Sequence, residues 1–137
     1  MGQKGFATLE VILMVMVIGI LASIAVPRFA AVTASANTAK IQADLAAIDT
    51  AVASYYVREG KYPDNLSDLS DYLNGVGTDG NLQPPTGKCY IIGQDDAQDV
   101  PTGGYKFKLV GGEKRAALGD YTSENFAIQK KSASSGS

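Results

Sequence analysis

The sequence has no histidine, no tryptophan and one cysteine, Cys89. Without histidine the chain cannot supply a Ser-His-Asp or Cys-His catalytic group or an imidazole metal ligand. One cysteine cannot close a disulfide within the chain or form a zinc site of several thiolates. Basic residues are also few: 12 Lys and Arg stand against 14 Asp and Glu, a net charge of −2. This acidic balance excludes a general nucleic-acid-binding surface, which needs cations to neutralise phosphates.

One long uncharged run dominates the rest of the composition. Residues 11–27 carry no charge and nearly all of them are apolar. As a helix, residues 6–26 would extend about 31 Å, close to the hydrocarbon thickness of a bilayer. The alternative is a buried core helix, but a domain of the remaining length is too small to cover it on every side. We therefore predict a membrane-spanning segment, with the bulk of the chain outside the cytoplasm.

A single carboxylate, Glu10, lies at the start of this segment. A charged side chain at the centre of a bilayer costs about 2.5–3.5 kcal/mol on insertion scales, less near the interface, and calls for a partner. The alternative is a carboxylate in the first helical turn that reaches the lipid headgroups and is favoured by the helix dipole. Geometry alone favours the headgroup alternative.

The N-terminal motif GFATLE, residues 5–10, followed by the apolar run, resembles the N-terminus of type IV pilins and pseudopilins. The resemblance implies that a prepilin peptidase removes the leader, residues 1–5, by cutting between Gly5 and Phe6, and that Phe6 is N-methylated. It also implies that Glu10 of one subunit pairs with the Phe6 amine of a neighbour during filament assembly. Such a pair favours one register, because a wrong stagger leaves both charges buried alone.

Two residues weaken the predicted helix locally. These residues are Gly19 and Pro27. In a helix interior, Gly lowers helix stability by about 1 kcal/mol and Pro by about 3 kcal/mol relative to Ala. Ordinary membrane helices tolerate both. The resemblance instead suggests that the helix between them melts when subunits pack. The two alternatives are therefore an ordinary membrane helix and a helix that melts locally on assembly.

The helix is predicted to continue beyond the membrane to residue 58, with a bend near Pro27. Residues 28–58 form its amphipathic continuation, and Gly60 supplies the stop signal. One face of this part carries apolar and aromatic residues at spacings of three and four: Ile41, Leu45, Ile48, Val52, Tyr55 and Tyr56.

Residues 59–129 are predicted to form a globular head. A short amphipathic helix is expected over residues 63–73, with Asp64, Asp68 and Asp71 on its solvated face, and a loop over residues 75–87. Strands are expected over residues 88–92, 105–110, 114–118 and 125–129, and residues 130–137 are expected to be a flexible tail. The predicted fold is α+β and pilin-like: a long helix, its hydrophobic half protruding, packed on a small antiparallel sheet of three or four strands.

The head offers little chemistry. Asp95, Asp96 and Asp99 are weak candidates for a calcium site, because calcium prefers oxygen ligands, but a solvated acidic loop is the favoured interpretation. Cys89 lies in an apolar string and is predicted to be a small core residue. We expect no cofactor other than this calcium alternative.

These features predict a structural, non-enzymatic subunit of a type IV pilus. It would be held in the cytoplasmic membrane with its N-terminus in the cytoplasm, and then polymerise into a surface filament for adhesion, motility or DNA uptake. The partners implied by the resemblance are copies of itself, the prepilin peptidase, the inner-membrane assembly machinery and, before assembly, the bilayer. The alternatives are a pseudopilin of a type II secretion system and, in another class, a membrane-tethered extracellular binding domain or enzyme.

Overall fold

The computed structural model describes residues 2–76, 80 and 82–126. It divides into two compact units, Met1–Thr33 and Ala34–Ser137. Helix α1, Gly2–Glu59, accounts for the described part of the first unit and is the first element of the second. The predicted tail, and residues 127–129 of the last predicted strand, lie outside the described residues.

Helix α1 confirms the predicted long helix and is continuous through both Gly19 and Pro27. It ends at Glu59, one residue beyond the predicted end, and the predicted stop signal, Gly60, follows with a φ of 72° in the left-handed region. The Gly60 N–H donates to the carbonyl of Tyr56 at 2.9 Å, so the last turn is closed before the chain departs. Glycine suits this position because it has no Cβ to oppose that backbone conformation.

The core of the second unit is built on the predicted apolar stripe of α1. Ile41, Leu45, Ile48 and Val52 are buried, and Tyr55 packs against them as a partly buried residue. Tyr56 differs from the prediction, because it is 44% exposed and stacks on Tyr62 instead. The rest of the core comes from the segments that face this stripe: Leu69, Cys89, Ile91, Tyr105, Ala116, Leu118 and Phe126.

The predicted α+β arrangement is confirmed, with the strands in two small antiparallel sheets where one sheet of three or four strands was expected. Strands β1, Lys88–Cys89, and β2, Gln98–Asp99, form the first sheet. Strands β3, Tyr105–Val110, β4, Glu113–Leu118, and β5, Tyr121–Thr122, form the second in the order β3-β4-β5. The strands predicted over residues 105–110 and 114–118 are confirmed, and they form the β3–β4 hairpin, whose turn is Gly111-Gly112 with φ values of 61° and 90°. Positive φ at both turn residues matches the right-handed twist of the flanking strands.

Two predicted strands were wrong in extent, for local reasons. The first ends at Cys89 because the next N–H, on Tyr90, donates to the hydroxyl of Thr38 on α1. At the second, residues 125 and 126 form a turn. The Asn125 side chain accepts the N–H of Thr122, and the Phe126 N–H returns to the Thr122 carbonyl. Such local hydrogen bonds compete with a sheet ladder.

The predicted helix over residues 63–73 is reduced to a 3-10 helix, Leu66–Leu69. Asp68, predicted to lie on a solvated face, accepts the backbone N–H groups of Asp64 and Asn65 at 2.9 and 3.0 Å. These two donors lower the pKa of the Asp68 carboxyl, since they favour its charged form. Asp68 therefore stabilises the start of this turn.

Candidate functional site

The apolar part of α1 presents bare hydrophobic surface on every side. Between residues 6 and 32 every Val, Ile, Leu, Met and Phe is at least half exposed, from 50% for Ile12 to 72% for Phe6. Among the described residues this is one helix that is long and apolar enough to cross a membrane. Exposed apolar surface of this extent is normally covered by lipid or by other protein.

The predicted processing and assembly residues lie at the start of this surface. Phe6 and Glu10 are one turn apart in α1 and therefore share a face of the helix. Glu10 is exposed and makes no ion pair with the described residues. A Cβ placed on Gly5 would meet nothing within 4 Å, so other described residues do not crowd the Gly5-Phe6 bond. The arrangement leaves a carboxylate available to a cation supplied from outside the chain.

The two predicted weak points of the helix are helical here. Nothing lies within 4 Å of a Cβ placed on Gly19, so its small size is not required by packing among the described residues. Pro27 has no N–H, which leaves the carbonyl of Ser23 without the donor a regular helix would supply. The Ser23 hydroxyl donates to the carbonyl of Ile20 at 2.7 Å.

Within the second unit, two carboxylates on α1 hold the second sheet. Asp49 accepts the N–H of Ala116 at 2.7 Å and a hydrogen bond from the Ser123 hydroxyl, and it lies 3.7 Å from the Arg115 guanidinium. Asp44 accepts the Tyr105 hydroxyl at 2.6 Å. Burial and this carboxylate together raise the pKa of the Tyr105 phenol far above its ordinary value.

Asp44 and Asp49 are not among the site residues predicted from the sequence. The signal that distinguishes them is their position next to the apolar stripe, beside Leu45 and Ile48, where a side chain lies at the border of the core. A carboxylate at such a border can reach backbone N–H groups of the packed element.

Two further polar residues of α1 hold the first sheet. The amide of Asn37 donates to the carbonyls of Thr86 and Lys88 at 3.0 and 2.9 Å. The Thr38 hydroxyl accepts the Tyr90 N–H at 2.8 Å. The segment around β1 is therefore bound to the helix by side chains rather than by a longer strand ladder.

The structure does not gather the weak calcium candidates into a site. Asp95 and Asp96 lie in an exposed turn and Asp99 lies in β2, and the described residues contain no group of three His, Cys, Asp or Glu side chains that could hold a metal ion. Cys89 is fully buried in the core, as predicted. Burial, and secondarily the charge of Asp99, raises the pKa of the Cys89 thiol, which disfavours the reactive thiolate.

The chain is similar to known type IV pilins and to a core protein of type II secretion systems. The chain is 35% identical over 63 residues to the type IV major pilin protein PilE1 of Neisseria gonorrhoeae, covering 46% of this chain and 38% of the relative. It is 45% identical over 53 residues to the type IV narrow pilus major component PilA5 of Thermus thermophilus, covering 39% and 46%. It is 25% identical over 107 residues to the type II secretion system core protein G of Klebsiella pneumoniae, covering 78% and 66%.

The matched region spans less than half the length of these two pilins. No family model matches the chain, and no solved structure is significantly similar to it.

Proposed function

We propose that the chain is a member of the type IV pilin and pseudopilin family, a structural subunit that polymerises into a type IV pilus. It is stored in the cytoplasmic membrane through the apolar part of α1 and then transferred into a surface filament. Its role is mechanical rather than catalytic. The observation that carries the proposal is the apolar surface of residues 6–32, exposed on every side and interrupted near its start by the single carboxylate of Glu10.

The physical argument concerns what changes when the helix leaves the membrane. Lipid tails are about as apolar as Leu or Ile, so moving this surface from lipid to a bundle of identical helices yields little hydrophobic free energy. Packing and polar contacts must then decide whether and how the helices associate. Glu10 is the one acidic group on this surface, and a neighbour's cation would relieve the cost of holding it in apolar surroundings.

Processing supplies that cation in this proposal. Prepilin peptidase cuts between Gly5 and Phe6, removes Lys4 with the leader, and leaves a methylated amine on Phe6. Glu10 of one subunit then pairs with the Phe6 amine of the next, which fixes the stagger of the two helices. Mass spectrometry of the protein from its own cells should show a mature chain that begins at Phe6 and carries one additional methyl group. A chain that retains residues 1–5 would contradict this step.

The decisive experiment compares Glu10→Ala with the unaltered chain in the native host. The unaltered chain should be found in filaments sheared from the cell surface and seen by electron microscopy. The Glu10→Ala chain should be inserted and cleaved normally but be depleted from the sheared fraction, since it lacks the carboxylate that sets register. Thr33→Ala is the matched control, because Thr33 is an exposed polar residue of the same helix whose hydroxyl donates to the carbonyl of Phe29, a bond that cleavage leaves intact. Normal filament yield from Glu10→Ala would refute the role of Glu10.

The helix between Gly19 and Pro27 is proposed to lose part of its hydrogen bonding when subunits pack. The glycine favours an unfolded backbone, and the proline already removes one hydrogen bond. A filament map that shows regular helical hydrogen bonds throughout this stretch would contradict the proposal.

A second candidate is a pseudopilin of a type II secretion system. The match to protein G of Klebsiella pneumoniae covers 78% of this chain, more than the match to either pilin described above. The two functions differ in the phenotype of a deletion strain. Loss of surface filaments with normal protein secretion supports the pilus, whereas retained protein substrates in the periplasm support the pseudopilus.

A further inference from the structure

The outer edge of β3 has backbone groups that nothing in the described chain pairs. Ala116 on β4 directs its N–H to Asp49 and its carbonyl to Ser123, so both point away from β3. Its register partner on β3 is Phe107. In an antiparallel ladder such a pair is not hydrogen-bonded, so the N–H and carbonyl of Phe107 face outward, on the free edge. By the same alternation Tyr105 and Leu109 also face outward.

An open groove runs along this edge. It has a volume of about 360 Å³, and it is lined by residues 64–67 with the neighbouring Gly80 and by residues 105–107 of β3. Lys106 lines the groove, and Lys108 is a second exposed lysine on the same strand. Neither lysine makes an ion pair with the described residues, and Lys108 donates only to the carbonyl of Asp120 at 3.3 Å. Strand β3 therefore combines unpaired backbone groups on its outer edge with two cations that make no ion pair with the described residues.

The first sheet has a free edge of the opposite charge. The Val100 N–H donates to the carbonyl of Gly87, so β2 turns the backbone of Val100 towards β1 and that of Asp99 away from it. Asp99 is exposed, as are Asp95 and Asp96 in the preceding turn. None of the three makes an ion pair with the described residues.

We propose that the β3 edge of one copy pairs with the β2 edge of a second copy, joining the two sheets across subunits. Charge selects this occupant, because two β3 edges would oppose lysines to lysines whereas a β2 edge brings three carboxylates to them. A contact between unlike edges is heterologous, so it repeats from copy to copy instead of closing a dimer. This inference rests on the proposed function, since it supplies a contact between heads in the same polymer.

Disulfide trapping between copies tests the contact directly. One tagged chain carries Lys106→Cys and a second, differently tagged chain carries Asp96→Cys, and both are expressed in the native host. A link between the two tags can form only across copies. Cys89 adds no background, because it is fully buried. After mild oxidation we expect a heterodimer that carries both tags.

The matched control replaces Asp96→Cys with Thr50→Cys, at an exposed position on α1 that is on neither edge. This pair should give about tenfold less heterodimer, the difference expected when only one of two positions approaches its partner. Equal yields from the two pairs, or no heterodimer from Lys106→Cys with Asp96→Cys, would overturn the inference.

Charge reversal gives a second, independent readout. Adding Lys108→Glu to the Lys106→Cys chain should lower the heterodimer yield about tenfold, since it opposes like charges. Adding Asp95→Lys to the Asp96→Cys chain should then restore the yield to within about twofold. Failure of the second change to restore it would contradict the pairing. Surface filaments of the unaltered chain are scored separately, so a failed head contact is distinguishable from a failed pilus assignment.

Discussion

Replacing Asp49 should destabilise the head, because its carboxylate joins α1 to the second sheet. Its carboxylate stands where a longer β5 would otherwise pair with β4, because it accepts the Ala116 N–H at 2.7 Å. Ala116 is fully buried, so in Asp49→Ala that N–H has neither a protein acceptor nor water. The same change removes the acceptor of the Ser123 hydroxyl.

The magnitude follows from these two bonds. A buried donor left without a partner costs about 1–3 kcal/mol, and a hydrogen bond to a charged group contributes about 1.5–3 kcal/mol. Ser123 is partly exposed and can turn to water, and Arg115 keeps Glu113 and Glu124 as partners. We therefore expect Asp49→Ala to lose about 3 kcal/mol of unfolding free energy. Asp49→Asn keeps an acceptor oxygen for the backbone and should lose about 1 kcal/mol.

The assay is urea unfolding of the full chain in a mild detergent, followed by tyrosine fluorescence. All seven tyrosines lie at or beyond residue 55 and there is no tryptophan, so the signal reports the head and not the apolar part of α1. Thr50→Ala is the matched control, because Thr50 is exposed and bonds only its own helix, to the carbonyl of Ala46. It should change stability by less than about 0.5 kcal/mol. Equal stability of Asp49→Ala and Thr50→Ala would refute the role assigned to Asp49.

Three further changes test other parts of the head. Gly119→Ala should destabilise the head by about 1–3 kcal/mol more than Gly111→Ala in the same urea assay. The two glycines have φ values of 62° and 61°, but a Cβ on Gly119 would lie 2.9 Å from Pro101, whereas a Cβ on Gly111 would meet nothing within 4 Å. Equal losses of stability would contradict this steric argument. Cys89 should react with a thiol reagent at neutral pH only as fast as the head unfolds, because it is buried and its thiol pKa is raised; rapid labelling without urea would contradict this. The pKa of Asp68 is lowered in the folded state, so the stabilisation by this carboxylate is present above the ordinary carboxyl pKa of 3.8 and is lost as the pH falls through the lower, folded value. The difference in unfolding free energy between the unaltered chain and Asp68→Asn should therefore shrink over that acidic range. A difference that does not depend on pH would refute the assignment.

The parts of the fold that the sequence predicts well are those with a local cause. The apolar stripe of α1 repeats over several turns, and the β3–β4 hairpin combines alternation in Tyr105, Phe107 and Leu109 with a two-glycine turn. Both signals depend on residues close together in the chain. The structure confirms both elements.

The parts that the sequence does not predict have distant causes. Strands β1, β2 and β5 contain two residues each, too few for alternation to be visible. Their bounds are set by side chains far away in the sequence, such as Thr38 for β1 and Asp49 for the place where β5 ends. A hydrogen bond between residues about 50 positions apart produces no periodic pattern in the sequence. One sheet was therefore predicted where two are formed.

In the candidate site, too, the features with a local cause are the ones that the sequence predicts. The apolar run, Glu10 and the Gly5-Phe6 bond are all readable from the sequence, and the structure adds that they are exposed. The described chain leaves them uncovered, and such apolar surface is normally covered by lipid or by other protein.

A chain that is first embedded in lipid and later packed in a filament needs two kinds of contact, one between helices and one between heads. The apolar surface of α1 gives nearly the same free energy in either setting, so it cannot by itself select one stagger between neighbours. Pairing of Glu10 with a neighbour's amine would select the stagger, because a wrong one leaves a charge unpaired in apolar surroundings. This ion pair acts at one position of an otherwise apolar helix, however, and does not by itself determine which faces of two heads meet. The unlike edges of β2 and β3 would supply that choice, since they are individually weak but repeat with every added copy.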